Sequence, residues 1–115
     1  MENYGLFLEL VEMSGVDTRN KTLLAVSNND LNKFYKYKKI THRQMLNHPD
    51  LPKIIEKHLI DRFSEKEAIT VYGNRLPYSK REQRINEIRY TVVNENTFGY
   101  SGVLLTTDFE KHIPK

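Results

Sequence analysis

Thr41-His42-Arg43-Gln44 is a capping box, T-x-x-Q, and no other four residues constrain the fold of this chain as firmly. In such a box the threonine oxygen and the glutamine side chain each satisfy a backbone N–H that the first helical turn leaves unpaired. Ile40 and Met45 stand at the flanking positions of a hydrophobic staple, which fixes the angle at which the chain enters the helix. Pro49 ends that helix near Asn47 or His48, because proline lacks a donor and restricts the residue before it. Asp50 then caps a longer helix from Leu51 to about Ser64, with Pro52 tolerated in its first turn. A second box, Ser79-Lys80-Arg81-Glu82, predicts a helix through Ile85 and Ile88.

The spacing therefore predicts helices over about 30–39, 41–47, 51–64 and 79–88. N-cap candidates for the first of these are Asn28, Asn29 and Asp30. Short apolar or alternating runs bounded by turn residues predict strands over about 22–27, 68–72, 89–94 and 101–106, the last two as an antiparallel hairpin. Residues 4–13 fit either state. Leu6, Phe7, Leu10, Val11 and Met13 make a helical face closed by Gly15, whereas Leu6, Leu8 and Leu10 make a strand face. Helices segregated from a small antiparallel sheet give an α+β class, and 115 residues without repeats or linkers suit a single domain, 1–115.

Composition removes several function classes. The chain has no cysteine, which excludes disulfide scaffolds, cysteine-ligated zinc, iron–sulfur clusters and thiol nucleophiles. It carries neither a glycine-rich phosphate loop nor an H-E-x-x-H zinc motif. No apolar run reaches the roughly 20 residues of a membrane span, and the N-terminus lacks the basic region of a secretory signal. A cytoplasmic protein without membrane contact is expected.

Charge is unevenly distributed. Residues 1–31 hold Arg19 and Lys21 against Glu2, Glu9, Glu12, Asp17 and Asp30, a net −3. Residues 32–62 hold eight basic groups against Asp50, Glu56 and Asp61, a net +5. Two helices jointed at His48-Pro49 inside this basic middle suggest a helix-turn-helix reading a DNA groove. Lys36, Lys38, Lys39, Arg43, Lys53 and Lys57 are the candidate phosphate contacts, with Tyr35 and Tyr37 alternating among them as candidate stacking or sugar contacts. The plainer alternative is an αα-corner with a solvated lysine face; Gln44, Met45 and His48 are large for a tight helix–helix joint.

A second constellation lies in the 51–64 segment. At ~100° per residue, Leu51, Ile54, Ile55, Leu59 and Phe63 form an apolar arc, with His58 near its middle and Arg62 one turn further. Read functionally, His58 is the acid or base of a metal-independent ribonuclease and Arg62 steadies the developing phosphorane charge, with Tyr90, Thr106 and Thr107 in support. Read structurally, His58 is a core-edge histidine and Arg62 reaches out to a carboxylate. Ile60 falls opposite the arc, which calls for a second covering layer or a partner. His48-x-Asp50 with His58 or His112 has metal-ligand spacing, but a turn followed by an N-cap explains the same residues, and no metal or cofactor is expected.

These features favour a non-enzymatic binding protein whose basic middle, residues 32–62, engages nucleic acid or a nucleic-acid-handling protein. The alternatives are a protein inhibitor or adaptor acting by surface occlusion through tyrosine and isoleucine contacts, of the kind small phage or mobile-element proteins provide, and the ribonuclease.

Overall fold

A computed structural model describes residues 2–101. A 3-10 turn at Glu2–Tyr4 leads into α1 (Gly5–Ser14), then β1 (Thr22–Ala25), α2 (Asn28–Lys38), α3 (His42–Leu46) and α4 (Leu51–Lys57). Seven strands come after α4: β2 (Leu59–Phe63), β3 (Glu67–Thr70), β4 (Arg75–Ser79), β5 (Arg84–Ile85), β6 (Ile88–Arg89), β7 (Thr91–Asn94) and β8 (Thr97–Gly99). The class is α+β, with four helices and a mixed eight-stranded sheet among the described residues. The strand order is β6-β5-β4-β3-β2-β1-β8-β7, antiparallel except where β1 runs parallel to β8. The expectation of a small antiparallel sheet is corrected accordingly. None of the helices is long and apolar enough to cross a membrane among these residues.

The ambiguous segment 4–13 is helical. Phe7 and Leu10 are buried, and Gly15 takes the left-handed conformation (φ 71°) that a side chain disfavours, donating its N–H to the Glu12 carbonyl. The capping box at Thr41 forms in full: Thr41 Oγ1 accepts from the Gln44 N–H at 3.1 Å, and Gln44 Oε1 accepts from the Thr41 N–H at 2.8 Å. Ile40 and Met45, the staple pair, both enter the core. The cap of α2 is Ser27, one residue before the expected candidates.

Two helical expectations are overturned. The 51–64 helix stops at Lys57, and 59–63 is a strand. His58 ends the helix by donating its ring N–H to the Ile54 carbonyl, Nδ1 to oxygen 2.7 Å. Beyond it Leu59 and Ile60 point to opposite faces, which explains why Ile60 fell outside a helical arc. The 79–88 helix is absent as well. Ser79 Oγ accepts from the Glu82 N–H at 3.2 Å, the contact a helix cap would make, but the chain turns there instead. Asn86 and Glu87 both have positive φ, as a tight hairpin turn requires, and Ile85 pairs with Ile88 across it. The three-residue spacing read as a helix face is a cross-strand pair. At the C-terminal end, the expected strand 89–94 is split at Tyr90, and its hairpin partner is β8. Of the expected strand 101–106 only Ser101 is described, outside any strand; residues 102–106 lie beyond the described residues.

Side chains alternate along β1 between two cores. Leu23 and Ala25 join Phe7, Leu10, Leu31, Met45, Ile55 and Leu59 in a core between sheet and helices. Leu24 joins Ile60, Ala68, Leu76, Ile85, Tyr90 and Tyr100 on the other side. This second set draws on strands from both ends of the order, so the sheet curls nearly into a barrel. The Tyr100 hydroxyl donates to the Ile85 carbonyl at 3.0 Å across the gap. Gly99 lies against the Tyr4 hydroxyl with no room for a Cβ, which lets the N-terminal turn cover β8.

The capping contacts predict a contrast. Thr41→Ala, which breaks a reciprocal cap, should cost about 1 kcal/mol in urea unfolding. Ser79→Ala, which loses one exposed turn contact, should cost about 0.5 kcal/mol or less. Equal losses at both positions would contradict the turn assigned at 79–83.

Candidate functional site

α2 is amphipathic, and its exposed side is basic. Leu31 and Tyr35 are buried against the other helices, while Asn29, Asn32, Lys33, Lys36 and Tyr37 are exposed on the opposite side. Lys39 is the C-cap, in a left-handed conformation (φ 58°), and Arg43 stands exposed on α3 one short turn later. Cations are favoured here because the helix C-terminus carries partial negative charge. Lys33, Lys36, Lys39 and Arg43 have no carboxylate partner among the described residues. Lys33 was not singled out from the sequence, although it lies one turn from Lys36 and Tyr37 on the same face.

The other candidate contacts divide. Tyr37 is 75% exposed, and the Lys38 ammonium sits 5.0 Å from its ring centroid. Tyr35 is only 6% exposed and offers no stacking surface, which corrects its assignment. Its hydroxyl lies 2.7 Å from His42 Nδ1, and His42 Nε2 faces Glu9 Oε2 at 3.5 Å, an electrostatic contact longer than a good hydrogen bond. Burial pushes the Tyr35 hydroxyl above its ordinary range, with the Glu9 charge adding to the effect. This chain of contacts ties α1, α2 and α3 together beneath the lysine face. No sequence pattern announced it, because the three residues belong to three separate helices.

On α4, Lys53 lies 4.0 Å from Asp50, and Lys57 stands 4.8 Å from the Tyr72 ring centroid. The helix-turn-helix expectation fails on packing. α3 has five residues and α4 seven, and each packs chiefly on α1. Leu51, Ile54 and Ile55 are buried, so α4 presents only a short exposed edge at Pro52 and Lys53. It has no free face long enough to enter a groove.

The structure does not bring His58 and Arg62 together as a helical pair. His58 is completely buried, edge-on to Phe7 with ring centroids 5.3 Å apart, whereas Arg62 is exposed on β2. Burial lowers the His58 pKa from 6.5 to about 4; the Ile54 hydrogen bond opposes the shift and the Lys57 charge adds to it. A neutral imidazole sealed in the core reaches no substrate. Tyr90 is buried in the second core, and Thr106 and Thr107 lie outside the described residues. Among the described residues no three acidic or histidine side chains converge on a metal position, and His112 lies beyond them. Ile60 is 1% exposed in the second core, so a layer of the sheet itself covers it.

Two further surfaces were not foreseen. Phe63, Tyr78, Phe98 and Tyr90 cluster at one end of the curled sheet, with Tyr90 and Phe98 stacked at 4.2 Å between centroids. Burial, with help from the Tyr78 hydroxyl, pushes Tyr90 up to about 12. On α1, Glu9, Glu12 and the 58%-exposed Met13 line an open recess of about 350 Å³ with Leu46. Comparison with protein-family models, curated proteins and solved structures finds no match, so the reading of these surfaces rests on their own geometry.

The buried histidine gives a pH prediction. The unfolded chain takes up a proton near pH 6.5, while folded His58 resists it until about pH 4. Its contribution to stability is complete above pH 6.5 and is lost as the pH falls through that window, about 3 kcal/mol in all. His58→Gln keeps a donor for the Ile54 carbonyl but does not titrate. Urea melts of this variant should therefore show a flatter dependence on pH between about 6.5 and 5. An unchanged slope would assign the effect to another group.

Proposed function

We propose that this is a cytoplasmic, non-enzymatic binding protein that engages the phosphate backbone of nucleic acid through the face formed by α2 and the start of α3. One observation carries the reading: Lys33, Lys36, Lys39 and Arg43, on α2, at its C-cap and on α3, are all exposed and have no carboxylate partner among the described residues. Cations so placed attract a polyanion and release its counterions on binding. Lys38, over the Tyr37 ring, adds its charge to α2, while Lys57 on α4 stands over the Tyr72 ring. The helices beneath are held by the first core and by the Glu9–His42–Tyr35 contacts, so the face is presented on a rigid support.

A second reading, an adaptor or inhibitor that occludes a partner protein, is favoured by the recess on α1. Its exposed methionine beside two glutamates suits a basic, apolar segment. Such a complex would tolerate salt better than phosphate binding does.

Salt dependence tests the first reading. With about four phosphates neutralised, the log–log slope of affinity against salt should be near −3. Replacing Lys33, Lys36 and Lys39 by glutamine should bring that slope to about −1 while costing no more than about 1 kcal/mol of stability, from the lost helix-end charges. A salt-independent affinity, or no retention on any polynucleotide at low salt, would refute the proposal.

A further inference from the structure

Resting on that reading, we infer that the α2 face selects single-stranded nucleic acid, with an unpaired base stacking on Tyr37 while the adjacent lysines track the backbone. Tyr37 is the most exposed large hydrophobic side chain among the described residues, at 75%. Tyr35, Tyr90 and Tyr100 are instead buried, and their hydroxyls are held above the ordinary range by burial. Tyr37 therefore contributes nothing comparable to the core, and its ring is available to a ligand.

Its placement defines the ligand. Lys33 lies one helical turn before Tyr37 on the same face, and Lys36 precedes it directly. Lys39 lies beyond it where the helix ends, and the Lys38 ammonium rests 5.0 Å from the ring centroid. The aromatic ring is thus set among cations. A polyanion without bases uses the cations alone. A duplex does little more, because its bases are stacked on one another and show only their edges in the grooves. A single strand uses both, since its phosphates meet the lysines and an unstacked base lies flat on the ring. Base stacking is tolerant of sequence because every base has a π face, so the selectivity is for strandedness and not for a motif. The shared chemistry of single-stranded DNA and RNA, an unpaired base on a phosphodiester chain, is the feature that the face recognises.

Fluorescence anisotropy at low salt with oligo(dT), oligo(U), a DNA duplex and polyphosphate tests the inference. The full-length protein should bind both single strands about tenfold more tightly than the duplex or polyphosphate. Tyr37→Ala should abolish that margin while leaving duplex and polyphosphate affinity within about twofold. Tyr37→Trp should keep or widen it, which separates stacking from loss of the phenol hydroxyl. The exposure of Tyr37 leaves folding intact in both variants, and thermal melts verify this. Equal affinity of the wild type for all four probes would overturn the selectivity and leave phosphate binding standing. A Tyr37→Ala variant that retains the single-strand margin would do the same. Absence of binding to every probe would overturn phosphate binding and selectivity together. Oligo(dT) and oligo(U) differ in both sugar and base methyl; a preference for either one still supports stacking when Tyr37→Ala removes it.

Discussion

β1 is the constraint on which the rest of the architecture depends. Its four residues sit inside the sheet, antiparallel to β2 on one side and parallel to β8 on the other. Leu23 and Ala25 serve the helical core while Leu24 serves the interior of the curled sheet. A strand with both faces buried reads as a continuous apolar run, and Leu23-Leu24-Ala25 in β1 is one. Shifting its register by one residue would send Leu24 to the helices and Leu23 and Ala25 to the other side, mismatching both cores at once.

From that division the exposed surfaces are fixed. α1 lies at the centre of the helical layer, and α2, α3 and α4 pack on it. Tyr35 reaches inward to His42, so the residues between and beyond its helical turn, Lys33, Lys36 and Tyr37, are turned outward. The acidic side chains Glu9 and Glu12 remain on α1. The charge segregation seen along the chain thus becomes a segregation between helices. The second core makes no use of the cations; it closes on aromatic rings at Phe63, Tyr78 and Phe98.

Where the sequence was readable, the deciding information was local. The cap at Thr41, the stop at Pro49 and the left-handed Gly15 each depend on residues within one turn of one another. Where it misled, two periods coincided. Leu59 and Phe63 continue the helical spacing of Leu51 and Ile55, yet the same residues alternate in a strand; the stop is supplied by His58, whose capping role needs its ring folded back on Ile54. Ser79-x-x-Glu82 makes the contact expected of a helix cap in a turn that leads to a hairpin, because that hydrogen bond forms equally well ahead of either element. For the candidate site, the basic composition was legible, whereas the sorting of Tyr35 inward and Tyr37 outward depended on knowing the face of α2. The Glu9–His42–Tyr35 contacts and the aromatic end of the sheet are tertiary, and no spacing along the chain encodes them.

Amide chemical-shift mapping with a short single-stranded oligonucleotide at low salt addresses the central claim directly. Shifts confined to the exposed residues of α2 and the start of α3, strongest at Lys33, Lys36, Tyr37, Lys39 and Arg43, are the result this account requires. Shifts centred instead on Phe63, Tyr78 and Phe98, or on Glu9, Glu12 and Met13, would contradict it.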